Sequence, residues 1–258
     1  MEHGSTRKAR TPRSSTRPIV LLLSGWSDGP LQPLQLQFPS VKFIKVNIPT
    51  PPAGARWLWN PYLLAITLIL YATPSLMRCV ASNISSTSIQ YVLQLLLLLS
   101  LLSLLRVVVA RVVRYAVADS TKTTLRAIEK YKPVAIVGFS WGGGVLYEML
   151  DQWKGPTILL APTVSAINWV AMKECAHYTF DIEKKRVAVV AGENDPFCPA
   201  GQKLLLTKTS CEYYGVEDDH ILSSNISREL TGEILGDFLA RSRIDYSSAP
   251  HTNAGRGQ

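Results

Sequence analysis

"PVAIVGFSWGGGVLYEML", residues 133–150, runs from branched apolar residues into a glycine-rich turn and out into a second apolar segment. The residues up to Phe139 predict a buried strand, and "GGGVLYEMLDQW", residues 142–153, predicts a helix with Val145, Leu146, Met149, Leu150 and Trp153 on one face. Ser140 sits at the junction, with Gly138 and Gly142 two positions away on either side. This is G-x-S-x-G in a strand–turn–helix context. The turn forces the serine into a strained backbone and lifts its hydroxyl above the sheet. Side chains at the flanking positions would strike neighbouring strands, so glycine is needed there. The start of the helix offers N–H groups and a positive dipole end, so the Trp141 N–H would face a developing oxyanion.

A nucleophilic serine needs a base, and the base needs an orienting carboxylate. Further along, "VAVVAGENDPFCP" ends a strand with Asp195 in a loop stiffened by Pro196 and Pro199, and "GVEDDHIL" presents His220 before a final helix. His3 and His251 lie in the tails and His177 precedes the Asp195 strand, which leaves His220 as the base. Asp218 and Asp219, beside it, read as solvated and serve as alternative acids only if Asp195 is misplaced.

Further strands are expected at "PIVLLL" (residues 18–23), "VKFIKVNIP" (41–49), "PTILLAP" (156–162), "KRVAVVAG" (185–192) and, at an edge, "SCEYYGV" (210–216). A short helix with Ser120 as N-cap should precede the Ser140 strand. A closing helix should bury Ile226, Leu230, Ile234, Leu235 and Phe238. Strands alternating with helices predict an α/β fold, a mostly parallel sheet covered by helices on both faces.

The sequence "GFSWGG", the G-x-x-D-P pattern of "GENDP" and the late histidine resemble the α/β-hydrolase superfamily over roughly residues 18–50 and 120–242. The elbow looks like that of dienelactone-hydrolase-like members. The resemblance implies Ser140 as nucleophile, Asp195 as acid and His220 as base, with no metal and no cofactor. The loop Ser24-Gly25-Trp26 stands where the family often has His-Gly. Its backbone, through the Trp26 N–H, is implied as the second oxyanion donor beside that of Trp141.

Of the 258 residues, 47% are hydrophobic and 18% charged. An ordinary soluble domain carries about 25% charge. Trp57–Met77 contains no charged residue, and a helix of that length spans about 31 Å, close to a bilayer's hydrocarbon core. "IQYVLQLLLLLSLLSLL", residues 89–105, is again uncharged. Neither stretch has a polar face, which favours a lipid-embedded helical hairpin over an apolar cap folded on the domain. Arg56, Arg106, Arg111 and Arg114 flank the hairpin on the domain side, against Arg78 in its loop. Positive residues favour the cytosolic side, so the domain is expected to face the cytosol at the endoplasmic reticulum or another intracellular membrane. Inserted after the second strand, the hairpin would grow from the rim of the site and bring its mouth to the bilayer. At the family's usual cap position few residues intervene, Trp169, Tyr178 and Phe180 among them, so a small cap or none is expected.

The chain therefore divides into a basic tail (1–17), a domain (18–50 and 116–245), the inserted hairpin (51–115) and a C-terminal tail (246–258). Half of the net charge of +8 sits in the first tail, where Arg7, Lys8, Arg10, Arg13 and Arg17 stand against Glu2 alone. That tail reads as a solvated disordered arm, with an organelle transit segment or attraction to anionic headgroups as alternatives. Cys79, Cys175, Cys198 and Cys211 lie far apart without CxxC, a pattern of reduced thiols. Asn83-Ile84-Ser85 and Asn225-Ile226-Ser227 match the glycosylation pattern by chance.

The expected activity is that of a membrane-associated serine hydrolase cleaving an ester or thioester with an apolar acyl group. Its partners would be the bilayer and a lipid or an acylated small molecule or protein, with no nucleic acid. A catalytically silent membrane scaffold, in which Trp141 crowds the serine, and an acyltransferase using the same three residues remain the alternatives.

Overall fold

The four inner strands of the domain are mainly runs of apolar residues, the pattern of a sheet covered on both faces. The computed structural model describes residues 17–50, 61–82, 87–175, 186–197, 206 and 211–248. Its strands are β1 (Ile19–Leu23), β2 (Lys42–Val46), β3 (Ala135–Phe139), β4 (Thr157–Leu160), β5 (Val187–Gly192) and β6 (Glu212–Val216). They form one sheet in the order β2-β1-β3-β4-β5-β6, with every pairing parallel. β2 and β6 are the edges; the edge position of β6 was expected. This is the α/β fold with a parallel sheet covered by helices on both faces that the sequence predicts.

Side chains alternate between two cores. Leu21, Leu23, Ile136, Leu159 and Val189 face one side, and Val20, Leu22, Val137, Ile158 and Val190 the other. The first core is closed by α3 (Thr87–Tyr131), α4 (Trp141–Glu148) and α5 (Val164–Ala171). The second is closed by α1 (Leu31–Gln37) and α6 (Asn225–Ser248). Each fully buried Leu or Ile contributes about 1.5–3 kcal/mol relative to exposure. Arg186 ties the sheet edge to α6, through Glu212 Oε1 at 2.9 Å and Asp237 Oδ2 at 2.7 Å.

Strand order reverses at β1 and β3: the chain grows outward from them in opposite directions, which opens a crevice above their carboxyl ends. Ser24-Gly25-Trp26 follows β1 and Ser140 follows β3, so both converge there.

Several local expectations are corrected. Ser120 does not cap a separate helix. It is fully buried in the middle of α3, with its Oγ donating to the Pro49 carbonyl at 2.9 Å. α3 thus passes from the leucine-rich stretch into the domain without a break, and residues 115 and 116 fall inside one helix. The polar "DSTKTT" stretch does not end it, because one face of the helix stays buried through and past it (Ala116, Ser120, Thr124, Ala127). α4 stops at Glu148, earlier than expected, while Met149 and Leu150 remain buried in the following turn. Ile226 is 68% exposed, so the apolar face of α6 begins at Leu230.

α2 (Pro61–Ser82) contains Pro74 inside it and continues past Arg78. Proline has no N–H to donate to the carbonyl one turn earlier, and the Thr73 hydroxyl donates nearby to the Ile69 carbonyl at 2.7 Å. α2 and α3 pack against each other. α3 is the one helix among the described residues that is long and apolar enough to cross a membrane, and the apolar run of α2, Leu64–Cys79, is shorter. Leu95, Leu96, Leu99 and Leu102 are exposed, so this half of α3 does not fold onto the sheet. Residues 1–16 of the basic tail, residues 51–60, Tyr178, Phe180 and Cys198 lie outside the described residues.

Candidate active site

Ser140 adopts φ 53°, ψ −118°, a backbone conformation that costs a non-glycine residue about 1–3 kcal/mol. The surroundings hold it there. Its N–H donates to the Leu160 carbonyl at 2.9 Å, and its own carbonyl accepts from Gly144 N at 3.0 Å and Thr163 N at 3.3 Å. The two motif glycines are required by space. A Cβ on Gly138 would lie 2.7 Å from the Gly142 oxygen, and one on Gly142 only 2.2 Å from the Leu23 oxygen.

His220 Nε2 lies 2.8 Å from Ser140 Oγ, and His220 Nδ1 lies 2.8 Å from Asp195 Oδ2. With Nδ1–H donating to the carboxylate, Nε2 accepts from the serine hydroxyl, the tautomer a general base requires. Asp195 has a fully buried side chain, and its other oxygen accepts from the Phe197 N–H at 2.8 Å. The imidazole is packed between two aromatic rings, Phe139 at 5.6 Å and Phe197 at 4.9 Å between centroids. Neither ring was singled out in the sequence; Phe197, two residues after Asp195, carried no periodic signal.

The His220 loop has its own anchor. Burial alone would raise the Asp218 pKa, but hydrogen bonds from Ser227 Oγ, Ser224 N and Asp219 N outweigh it and hold it at about 2. Asp218 is therefore bonded to the start of α6, where solvation had been expected, while Asp219 is exposed. Ser224 Oγ accepts from Ser227 N at 3.1 Å, the arrangement of a helix N-cap. Neither aspartate replaces Asp195 as the partner of His220 Nδ1.

Gly25 Cα packs directly on Ser140: a Cβ there would lie 3.0 Å from Ser140 Oγ and 3.1 Å from Trp141 N. The loop after β1 and the first N–H of α4 therefore share one small space beside the hydroxyl. Trp141 is 8% exposed, packs with the first core and also lines the cavity beside Ser140. Its Nε1 is buried with no partner among the described residues. Trp26 is exposed and stands at the mouth.

An apolar cavity of about 510 Å³ opens at Ser140 and His220. Its walls are Val113 from α3, Ala166, Ile167 and Val170 from α5, and Ile221 beside the histidine. α5 was not expected as a wall; the spacing of Val164, Ile167 and Ala171 is the signal that could have found it. A hollow of about 560 Å³ on the flank of α3, near Glu148 and Lys173, contains none of the three central residues. The arrangement can deliver a deprotonated hydroxyl to a carbonyl held beside an apolar cavity.

No family model matches the sequence, and no curated protein matches it. Solved structures are similar in chain path. They include a Bacillus cereus carboxylesterase (14% identical, 85% of this chain and 88% of that one, TM-score 0.46). RedJ, a thioesterase from the prodiginine biosynthetic pathway in Streptomyces coelicolor, is 10% identical over 86% of each chain, with TM-score 0.47. Dienelactone hydrolase from Anabaena variabilis is 11% identical over 88% of each, with TM-score 0.44. At these identities the likeness concerns the fold alone.

Proposed function

We propose that the protein is a membrane-associated serine hydrolase that cleaves an ester or thioester with an apolar acyl group. The observation that carries this reading is the hydrogen-bonded chain from Ser140 through His220 to Asp195, both links 2.8 Å long. Three residues spread over 81 positions of sequence, from Ser140 to His220, have no folding reason to line up within hydrogen-bond reach of one another beside a strained serine. In the reaction, Ser140 Oγ bonds to the acyl carbon as its proton passes to His220 Nε2. The C–O or C–S bond then breaks, and the same proton leaves with the alcohol or thiol. Water attacks the acyl-serine, gives a proton to His220, and the acid departs as Ser140 regains it. Asp195 stabilises the imidazolium in between. The N–H groups of Trp141 and Trp26 are the proposed donors to the oxyanion, each of the kind whose loss costs about 10²–10³ in rate.

The apolar cavity supports an apolar acyl part. The exposed leucines of α3 support membrane association, and Arg106, Arg111 and Arg114 at its domain end support a cytosolic domain. A fluorophosphonate probe tests the chemistry. Labelling of the wild type that disappears in Ser140→Ala is expected; a folded wild type that takes no label overturns the proposal.

A further inference from the structure

The cavity at Ser140 has a neighbour. A second hollow of about 310 Å³ lies further toward the amino end of α3, lined by Leu102, Leu105, Arg106, Val109, Trp169 and Val170. Val170 lines both hollows and stands between them. Both lie between α3 and α5 and share the Val170 wall, so that taken together they make a trough with Ser140 at one end and the exposed leucines of α3 at the other. From Leu102 to Val113 the trough follows α3 for roughly 16 Å, a length suited to a long acyl chain. Its walls are held in place: Arg114 donates to the Ala171 and Met172 carbonyls at 2.7 and 2.9 Å, which fastens the end of α5 to α3.

The outer end has the character of a bilayer boundary. Arg106 is the first charge after the uncharged stretch 89–105. Its guanidinium lies 5.4 Å from the Trp169 ring centroid, and Trp169 is 70% exposed. Tryptophan and arginine together are what a helix carries at headgroup depth.

We propose that this α3–α5 trough is the acyl-binding channel, and that it takes a single long acyl chain directly from the membrane in which α3 is embedded. The inference rests on the hydrolase reading above. The acyl carbonyl sits at Ser140 and the tail runs back along α3 past Val170 and Val109, toward the Arg106–Trp169 pair. The substrate class is thus a membrane lipid or lipidated thiol bearing a long chain, which is raised to the serine while its tail stays against the same helix.

A long-chain alkyl fluorophosphonate with a terminal diazirine tests this on the full-length protein in phospholipid vesicles. After reaction at Ser140 and illumination, crosslinks are expected on residues 102–109 or on Trp169. Labelled Ser140 with crosslinks elsewhere overturns the channel and leaves the hydrolase reading intact; no label at Ser140 overturns both. Val109→Trp and Leu105→Trp give a second measurement, since both positions are half-exposed and accept a larger ring. Filling the trough should lower the ratio of kcat/KM for p-nitrophenyl palmitate to that for p-nitrophenyl acetate by about tenfold, the loss of some two buried methylenes. An unchanged ratio in both folded variants overturns the channel.

Discussion

Gly25 stands against Ser140 so closely that a Cβ on it would lie 2.8 Å from Ser140 Cβ. The first loop of the sheet and the nucleophile turn were built as a pair, since they close the two central strands where the order reverses. Gly25→Ala should therefore push the loop away from the serine and with it the Trp26 N–H. The expected result is a fall in kcat of about 10²–10³, with a stability loss of about 1–3 kcal/mol from overpacking. Esterase kinetics beside thermal unfolding check it; normal kcat would separate the loop from the chemistry.

Ser140→Gly separates strain from function. Glycine tolerates φ 53° where serine does not. The variant should be inactive yet more stable than the wild type by about 1 kcal/mol, measured as a shift in urea midpoint at constant slope. A destabilised variant would mean that the hydroxyl's bond to His220 outweighs the strain.

Asp218 predicts an acid limb. Its carboxyl is held at about 2, below the ordinary 3.8. A carboxylate with a depressed folded pKa stabilises above its unfolded pKa, and the increment is lost as the pH falls from about 4 to about 2. Asp218→Asn should lower stability near neutral pH by about 1–3 kcal/mol and flatten that limb, so that the two unfolding curves converge at low pH. Parallel curves would deny the hydrogen-bonded carboxylate this role.

Membrane association is tested on the exposed face of α3. Leu95 and Leu99 are a turn apart and exposed. Lysine at either position costs about 2.5–3.5 kcal/mol if it lies at the bilayer centre. Leu95→Lys combined with Leu99→Lys should move the protein from the alkaline-carbonate pellet to the supernatant. Wild type in the supernatant would refute the embedded helix. These sites suit the purpose better than a deletion reaching residue 110, which would remove the buried Val108 and Ala110 from the domain.

The strands, their buried character and the turn at Ser140 were legible because they are local. A run of β-branched residues ending at a glycine turn has few other conformations available, and the order of Ser140, Asp195 and His220 is read directly along the chain. The break expected at Ser120 was legible too, but wrong: polarity along a segment says nothing of a core that one helix face meets only after folding. The approach of Gly25 to the serine, the aromatic clasp of Phe139 and Phe197 on His220, and the trough between α3 and α5 had no sequence pattern at all. Each is a contact between segments far apart along the chain, set by the strand order and by how two helices lie together. Residue types fix what a segment can bury or donate; only the packing of the whole sheet and its helices decides what stands opposite.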